Sequence, residues 1–527
     1  MAAESSALLE PVGGTTSNAS TLYARRRIYL IYLAPAFASF LFGYSIGGIS
    51  GSVASINAMC GGALTPMQIS ALTSASVVGA SVSSAMAFYV ADPLGARHEL
   101  IVGSVLYLLA TLLTELSHYI TPVFSTLYAL LYAGQFIYGL GIGFSMHAAP
   151  MYIGEISPPD VRGALVALKE GFIVLGMVAG FGAVAVADGA MADRASHWKP
   201  VWAVPGVVAV GIFSLMLCVA PSSPRWLLLR GRPSEALTAL RFLLPGSSES
   251  ALAEQIDEML TVAPSAGKGD APDARARCDG PCSASECRQW STLCSSSRRP
   301  LVAGLGLVFL QQITGQPTVL YYAQSIFLST GMSATTATHS DLIVGVAKLV
   351  ATLSSVLFVD SVGRRPLLFV GITIMGLSLL TLTIGFGVSG GETMSVGWSS
   401  TVVVALIAYV TGYQIGFGPI TWVLISELFP MQTRARAIGL SVCFNFVCNF
   451  LLAFVNEPLA VAVGRAPLFG FFGVMCVVSL LFVHACVPET KGKSLEEIEG
   501  MMRGTRLPKL PPHVPPPPPP PKFLGIF

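Results

Sequence analysis

Charged residues are scarce in this chain. Only 11% of its 527 residues are Asp, Glu, Lys or Arg, whereas a soluble globular domain carries roughly a quarter. Hydrophobic residues make up 53%. This balance excludes an ordinary water-soluble globular protein.

Signatures of metal, nucleotide and disulfide chemistry are also missing. The chain has ten Cys, but its cluster "CDGPCSASECRQWSTLC" contains no C-x-x-C pair of the kind that zinc sites use. No nucleotide-binding motif is present, and no nucleophile stands at a recognisable spacing from a base. We therefore expect no metal ion, no cofactor, no nucleic-acid partner and no enzymatic activity.

In place of charge, the chain has long apolar runs. Many reach 18 residues or more, the length that a helix needs to cross a bilayer core of about 30 Å. Continuous runs differ from the alternating strands of a membrane barrel, so we predict an all-α membrane protein in a lipid bilayer. The twelve predicted transmembrane helices lie at 28–51, 68–91, 98–117, 124–147, 166–187, 199–220, 301–328, 341–360, 366–388, 399–427, 436–456 and 467–487.

The basic residues alternate between the gaps that separate these runs. Of the 30 Lys and Arg residues, the odd-numbered gaps contain only Arg194, Lys199 and Arg465. Basic residues concentrate in loops on the cytosolic side of membrane proteins. The distribution therefore predicts that both termini and all even-numbered loops are cytosolic.

Three short motifs recur in the same order. "DPLGAR" at 92–97 matches "DSVGRR" at 360–365, "GEISPPDVRG" at 154–163 matches "SELFPMQTRA" at 426–435, and "PSSPRW" at 221–226 matches "PETKGK" at 488–493. Two six-helix halves built as parallel repeats are the layout of an alternating-access transporter. The predicted domains are a disordered tail at 1–27, a six-helix half at 28–220, a cytosolic linker with short helices at 221–300, a second six-helix half at 301–487, and a cytosolic tail with a proline-rich end at 488–527.

The chain resembles the sugar porter branch of the major facilitator superfamily over residues 28–503. The resemblance depends on these repeated motifs and on "MHAAPMYIGE", "LQQITGQPTVLYYA", "FGPITWVLISELFP" and "VPETKGKSLEEIE". Within the branch it looks most like the plant vacuolar and plastidic glucose transporters, often labelled D-xylose-proton symporter-like. The resemblance implies the major facilitator fold, transport of a monosaccharide such as a hexose or xylose, and a vacuolar or other endomembrane location.

A sugar site needs amides that both donate and accept hydrogen bonds, and an aromatic ring for the less polar face of the sugar. Asn445 and Asn449 are four residues apart, so they share one helix face. By resemblance, with Asn449 added from this spacing, the candidate substrate-binding residues are Glu170, Gln311, Gln312, Tyr321, Gln414, Trp422, Asn445, Phe446 and Asn449. The alternative is that these amides only join helices to one another. Pro317 replaces an amide of many relatives, which leaves the identity of the sugar open.

Two charges lie deep in predicted spans. Glu170 is eight residues past Arg162, roughly 12 Å into the membrane, and Lys348 is twelve residues before Asp360, roughly 18 Å in. Ionisable groups at such depth are costly and mark functional sites. We predict that Glu170 and Lys348 face one cavity from opposite halves. The alternative is a static ion pair between helices.

The repeated loop motifs place charges at the cytosolic ends of both halves. In the family that the chain resembles, such charges pair when the cytosolic side is closed, whereas the alternative is ordinary helix-end charges. The candidate gating residues are Asp92, Arg97, Glu155, Arg162, Asp360, Arg364, Arg365, Glu427 and Arg434.

Ser45 and Gln135 occupy the positions where proton-coupled relatives carry an acid and an arginine. A buried carboxylate can carry a proton only if it titrates, and the arginine sets its acidity. With both partners neutral, the sequence favours facilitated diffusion. Glu170, together with Lys348, remains the alternative proton site, and the proline-rich tail leaves a non-transporting sugar sensor as a further alternative.

Overall fold

The computed structural model describes residues 16–61, 64–120, 124–157, 159–191, 193–244, 248–262, 298–389, 395–429, 434–493 and 495–503. Within these ranges, all regular structure is helical. The polyproline stretch and the loop cysteines at 278–294 lie outside the described residues. The all-α prediction is therefore confirmed for the part of the chain that the structure describes.

Six long helices form the first half. Their bounds are α1 Thr16–Met59, α2 Pro66–Leu94, α3 Ala96–Ile120, α4 Phe124–Ile156, α5 Pro159–Ala190 and, after a short 3₁₀ turn, α6 Trp198–Cys218. Helix α1 packs along α5, and α4 packs between α2 and α3. Small residues allow these close crossings, because a Cβ at Gly43 would lie 1.7 Å from the Ile173 carbonyl oxygen and one at Gly139 would lie 2.0 Å from that of Ser76.

Three short helices follow in the linker. They are α7 Pro224–Leu229, α8 Pro233–Leu243 and α9 Glu249–Val262. The Ser223 side chain caps α7 by accepting a hydrogen bond from the Trp226 N–H at 3.3 Å. Helix α7 packs on α4 and α8 packs on α1, so the linker lies against one end of the first half.

The second half contains the remaining helices. They are α10 Arg298–Ile313, α11 Gln316–Tyr321, α12 Ala323–Leu328, α13 Ala334–Val362, α14 Arg364–Ser389, α15 Val396–Ile415, α16 Phe417–Leu428, α17 Arg434–Val463, α18 Arg465–Cys486 and α19 Leu495–Arg503. Helix α19 packs on α10 and α16. We call the end that carries α7, α8 and α19 the inner end, and the opposite end the outer end.

Two predicted spans are broken in the structure. The span predicted at 301–328 consists of α10, α11 and α12, with Gly315 at φ +100° in the first break. Pro317 follows within the first turn of α11, where its missing N–H costs nothing. The span predicted at 399–427 is broken between α15 and α16 at Gly416. Such breaks release backbone carbonyls inside the protein, where polar side chains or substrates can bind them.

Ten helices among the described residues are long and apolar enough to cross a membrane. The two further predicted spans correspond to the broken α10–α12 segment and to α13. Helix α13 begins at Ala334, seven residues before the predicted start of its span at 341. The count of twelve and the cytosolic position of the termini stay predictions.

The halves touch along two lateral seams and at the outer end. Helix α2 packs on α17 and α5 packs on α13, while α1 packs on α11 and α12. At the outer end, the Tyr322 hydroxyl of α11–α12 lies 3.4 Å from the Ser70 hydroxyl of α2, and the Gln324 N–H donates to the Ser50 hydroxyl of α1 at 3.3 Å. The outer end is therefore closed in this structure.

Candidate functional site

Gln312 joins α10 to α17 through two hydrogen bonds. Its Nε2 donates to Asn445 Oδ1 at 2.6 Å, and its Oε1 accepts from Asn449 Nδ2 at 3.3 Å. Gln312 and Asn449 are buried, and Asn445 is half-buried. Both asparagines thus face the same neighbour, as their spacing of four residues predicts.

Gln311 contacts the break between α15 and α16. Its Nε2 donates to the backbone carbonyl of Phe417, the first residue of α16, at 3.1 Å. Its buried Oε1 accepts no hydrogen bond from the described residues, although the Tyr413 side chain lies beside it. Gln311 therefore stabilises the broken helix with one end of its amide and keeps an acceptor available at the other.

The remaining polar candidate of this cluster is Gln414, at the end of α15. Its Nε2 donates to the Thr352 hydroxyl of α13. The Gln316 Oε1, beside Pro317, is buried and accepts no hydrogen bond from the part of the chain that the structure describes. Unpartnered amide oxygens in a protein interior are uncommon and are what a ligand hydroxyl would satisfy.

The aromatic candidates lie on three different helices of the second half. Trp422 is half-buried on α16 and packs in an apolar cluster with Val308 and Phe429. Phe446 on α17 contacts Phe42 of α1 edge-on, with ring centroids 5.7 Å apart, and so spans the two halves. Tyr321 is buried toward the outer end, 3% exposed.

Glu170 and Lys348 lie on packed helices of opposite halves, α5 and α13, and form no direct ion pair with each other. The Lys348 ammonium is buried and lies 5.6 Å from the centroid of the Tyr413 ring. Glu170 instead contacts Lys169, with Oε1 and Nζ 3.4 Å apart. The Glu170 charge acts on both Lys348 and Tyr413. Among the described residues the static ion pair between these two side chains does not form, and their interaction is a longer-range attraction.

Ser45 and Gln135 line one small cavity inside the first half. The cavity measures ≈ 20 Å³ and is also lined by Tyr44, Tyr138 and Trp202. Both tyrosine hydroxyls donate to backbone carbonyls, Tyr44 to Val201 and Tyr138 to Leu41, each at 2.8 Å. The space is sufficient for a single water molecule, which needs about 10–15 Å³ by this measure. The structure therefore places Ser45 and Gln135 at one cavity, and their role in coupling stays a prediction.

Charged residues at the inner end form matching arrangements in the two halves. Arg97 donates to the carbonyls of Met216 and Leu217 in the last turn of α6, each at 3.1 Å. Arg365, its counterpart in the repeat, donates to the carbonyl of His484 in the last turn of α18 at 2.8 Å. Each arginine thus neutralises the negative end of the sixth long helix of its half.

The two gating glutamates have different partners. Glu427 pairs with Arg364 at 3.0 Å, while Glu155 interacts with Ser223 and Arg225 of the linker start. The side chains of Asp92, Arg162, Asp360 and Arg434 lie outside the described residues. The pairing of Glu155 with Arg162 and of Glu427 with Arg434 therefore stays a prediction.

Glu489, which sequence reasoning missed, anchors the start of α14. Its carboxylate accepts hydrogen bonds from the N–H groups of Arg364 at 3.2 Å and Arg365 at 3.0 Å. Burial alone would raise the pKa of Glu489, but backbone N–H donors on Lys491, Arg365, Arg364 and Thr490 hold this pKa below its ordinary value. The group therefore stays ionised into mildly acidic conditions. The signal in the sequence is its place in the repeated "PETKGK" motif.

We expect Arg364→Ala to favour the outer-closed arrangement further. The change removes the partner of Glu427 and weakens the inner charge cluster that would hold the inner end closed. A cysteine at Ser52, which is 2% exposed, reports outer opening through its reaction with a membrane-impermeant maleimide. Arg364→Ala should lower this labelling, and Arg241→Ala, which breaks an exposed linker pair with Glu249 at 2.7 Å, should not. Equal labelling in both variants would leave Arg364 without a gating role.

A protein-family model matches most of the chain. The family described as "Sugar (and other) transporter" matches residues 31–502. The chain belongs to this family. It is 40% identical to D-xylose-proton symporter-like 2 of Arabidopsis thaliana over 89% of this chain and 90% of the relative. It is 38% identical to the chloroplastic D-xylose-proton symporter-like 3 of the same plant, over 93% and 85%.

The fold matches a solved transporter as well. The chain superposes on the xylose transporter XylE from E. coli in an inward-open conformation with a TM-score of 0.73 at 24% identity, covering 90% of this chain and 99% of that one. The protein is therefore a multi-pass membrane protein with the major facilitator fold. Family membership makes it a transporter of the sugar class and not an enzyme.

Proposed function

We propose that this transporter moves a monosaccharide, a hexose such as glucose or the pentose xylose, across its membrane by alternating access and facilitated diffusion. The observation that carries the proposal is the group of amides on α10 and α17. Gln312, Asn445 and Asn449 form one hydrogen-bonded set, and the neighbouring Gln311 keeps an unbonded Oε1. Sugar hydroxyls both donate and accept, so they can replace these amide bonds one for one.

The surroundings of the amides support a sugar rather than an ion or an apolar ligand. Trp422 and Phe446 offer apolar ring surfaces, and Gln414 adds a further amide. Gln311 contacts the first residue of α16, and Gln414 lies at the end of α15 beside the same break. Sites of this composition combine a few polar groups that fix orientation with aromatic walls.

Facilitated diffusion rests on the cavity around Ser45 and Gln135. Neither of these side chains ionises near neutral pH, so this cavity has no proton to exchange between the two access states. The D-xylose-proton symporter-like names of the relatives favour the alternative, proton symport. In that case Glu170 is the candidate carrier, because it is 30% exposed at its side chain and acts electrostatically on Lys348.

A vacuolar or other endomembrane location completes the proposal. It rests on the resemblance to plant vacuolar transporters, while one relative is named as chloroplastic. A fluorescent fusion that accumulates in the plastid envelope would overturn it. We also propose domain boundaries at 28–220 and 301–487, supported by the packing of α4 on α2 and α3 in the first half and of α14 on α15 and α18 in the second.

Counterflow in liposomes tests the proposed function. Liposomes that hold purified protein are loaded with unlabelled sugar, and entry of the same labelled sugar is followed for glucose, xylose, a disaccharide and a polyol. We expect glucose or xylose to exchange and the disaccharide to be excluded. Binding of a monosaccharide without exchange would indicate a sensor, and exchange confined to the polyol or the disaccharide would contradict the substrate class.

A further inference from the structure

Asp341 is a buried carboxyl group that the sugar site does not use. It lies on α13 and is 3% exposed. Its Oδ2 accepts a hydrogen bond from the Ser50 hydroxyl of α1 at 3.3 Å, while its Oδ1 is buried and bonds to nothing among the described residues. A neutral hydroxyl is therefore the hydrogen-bonding partner that the structure gives this acid.

The contact between Asp341 and Ser50 joins the two halves at the outer end. Ser50 also accepts the N–H of Gln324, at the start of α12, at 3.3 Å. The bond between Tyr322 and Ser70 lies at the same end. Alternating access requires these contacts to separate when the outer end opens. Asp341 is thus buried in one access state and comes apart from its partner in the other.

Several ionisable groups lie on the helices that pack around Asp341, and none of those described forms a hydrogen bond or ion pair with it. On α5, Glu170 contacts Lys169. Also on α5, Asp188 lies 3.6 Å from His197 Nδ1, and the two border an outer cavity of ≈ 270 Å³ that Thr338 of α13 also lines. Lys348 lies on α13 itself, two turns toward the inner end and over the Tyr413 ring. Further ionisable groups on these elements include Tyr44 on α1, Tyr409 and Tyr413 on α15, His339 at an exposed position of α13, Arg364 and Arg365 on α14, and Glu427 on α16.

An ionised carboxylate at this position would be expensive. A buried charge without a cationic partner costs several kcal/mol in proteins and is avoided by protonation. The hydrogen bond from Ser50 satisfies Oδ2 of Asp341. Oδ1, which bonds to nothing among the described residues, can carry a proton. The neutral acid is therefore the form compatible with the closed outer end.

We propose that Asp341 is a proton-binding site of the outer gate: it takes up a proton from the outer side when α1 closes against α11–α13, and it returns the proton to the same side when they separate. The balance is simple, because one carboxylate and one proton form one carboxylic acid with no other reactant. Acid on the outer side then stabilises the outer-closed state, and this stabilisation is lost as the outer pH rises. The proton does not cross the membrane, so the rate of sugar flux responds to outer pH while its end point does not.

The experiment measures outer opening directly and needs no sugar transport. Ser52→Cys is placed in the full-length protein in liposomes. The fraction labelled by an impermeant maleimide in a fixed time is measured between outer pH of about 7.5 and 5.5. The maleimide concentration is raised at lower pH to compensate for the smaller fraction of reactive thiolate. The protein without Ser52→Cys gives the background from native cysteines. We expect the specific labelling to fall at least about twofold on acidification. Asp341→Asn, which keeps a hydrogen-bonding side chain of the same size but cannot ionise, should give low labelling at every pH.

His197→Gln is the matched control, because His197 carries an ionisable imidazole and borders the adjacent cavity. It should keep the pH response of the parent. A flat parent response, an Asp341→Asn variant that still responds, or a His197→Gln variant that loses the response would each overturn the proposal. The proposal rests on alternating access but not on facilitated diffusion. If acid outside drives sugar accumulation that Asp341→Asn abolishes, the proton crosses the membrane at Asp341, and both its return to the outer side and facilitated diffusion are overturned.

Discussion

Replacing Gln311 by alanine is expected to abolish measurable sugar binding while leaving the fold intact. The change removes the only unbonded acceptor of the α10 glutamine pair, Gln311 Oε1, and also the donor to the Phe417 carbonyl at the α15–α16 break. Leaving a buried partner unsatisfied costs about 1–3 kcal/mol per group. Two such losses in one site weaken binding by roughly 30-fold to 20,000-fold, since each 1.4 kcal/mol is tenfold.

Titration of purified protein with labelled monosaccharide, followed by calorimetry or scintillation proximity, checks this prediction. Gln68→Ala is the matched control, because Gln68 is an amide at the outer start of α2 whose side chain accepts hydrogen bonds from Thr65 and whose backbone carbonyl accepts one from the Tyr128 hydroxyl. Both variants should melt within a few degrees of the parent. Near-normal affinity in Gln311→Ala would remove Gln311 from the site.

The second large effect is expected from placing charged side chains at Ser45 and Gln135, the positions where proton-coupled relatives carry an acid and an arginine. Ser45→Asp alone places an uncompensated carboxylate in a cavity of ≈ 20 Å³ between Tyr44 and Tyr138. Lone buried charges of this kind destabilise proteins by about 3–5 kcal/mol, and protonation relieves the cost. We expect a strongly lowered melting temperature at neutral pH that recovers in acid.

Adding Gln135→Arg to Ser45→Asp should recover the stability, because both positions line the same cavity and the guanidinium supplies the counter-charge. Thermal melts of the single and double variants at several pH values measure this coupling. Ser45→Asn introduces a side chain of nearly the same volume as that in Ser45→Asp but without its charge. It therefore separates the effect of size on stability from the effect of charge. If the double variant is no more stable than Ser45→Asp, the two positions are not partners and the argument from their neutrality fails.

Much of the fold was predictable because membrane helices are specified by composition over long windows. Ten of the predicted spans correspond to long helices such as α3 and α14, and the repeat located the matching roles of Arg97 and Arg365. The break at Gly416 lies in the stretch "GFGP", and the first break depends on Gly315 adopting positive φ, which no apolar pattern encodes. Helix α13 begins seven residues earlier than its apolar run, since Ser333 caps it in a polar context.

The candidate site was predictable only where spacing constrains geometry. The four-residue interval placed Asn445 and Asn449 on one face, and the structure adds that Gln312 bonds both. Asp341 was missed because it fell at the predicted edge of a span, where charge is unremarkable, although the actual helix carries it two turns inside. Contacts between halves, such as the bond from Ser50 to Asp341, join residues far apart in sequence and have no local signal.

The end point of sugar uptake under an imposed pH gradient tests the central claim most directly. Liposomes that contain the protein are made acidic outside relative to inside, and the ratio of internal to external labelled monosaccharide is followed to its plateau. Facilitated diffusion predicts a ratio of one at the plateau, with only the rate depending on outer pH, because Ser45 and Gln135 carry no proton across. Accumulation above the external concentration would contradict the account, and its loss in Glu170→Gln would then assign the proton to Glu170.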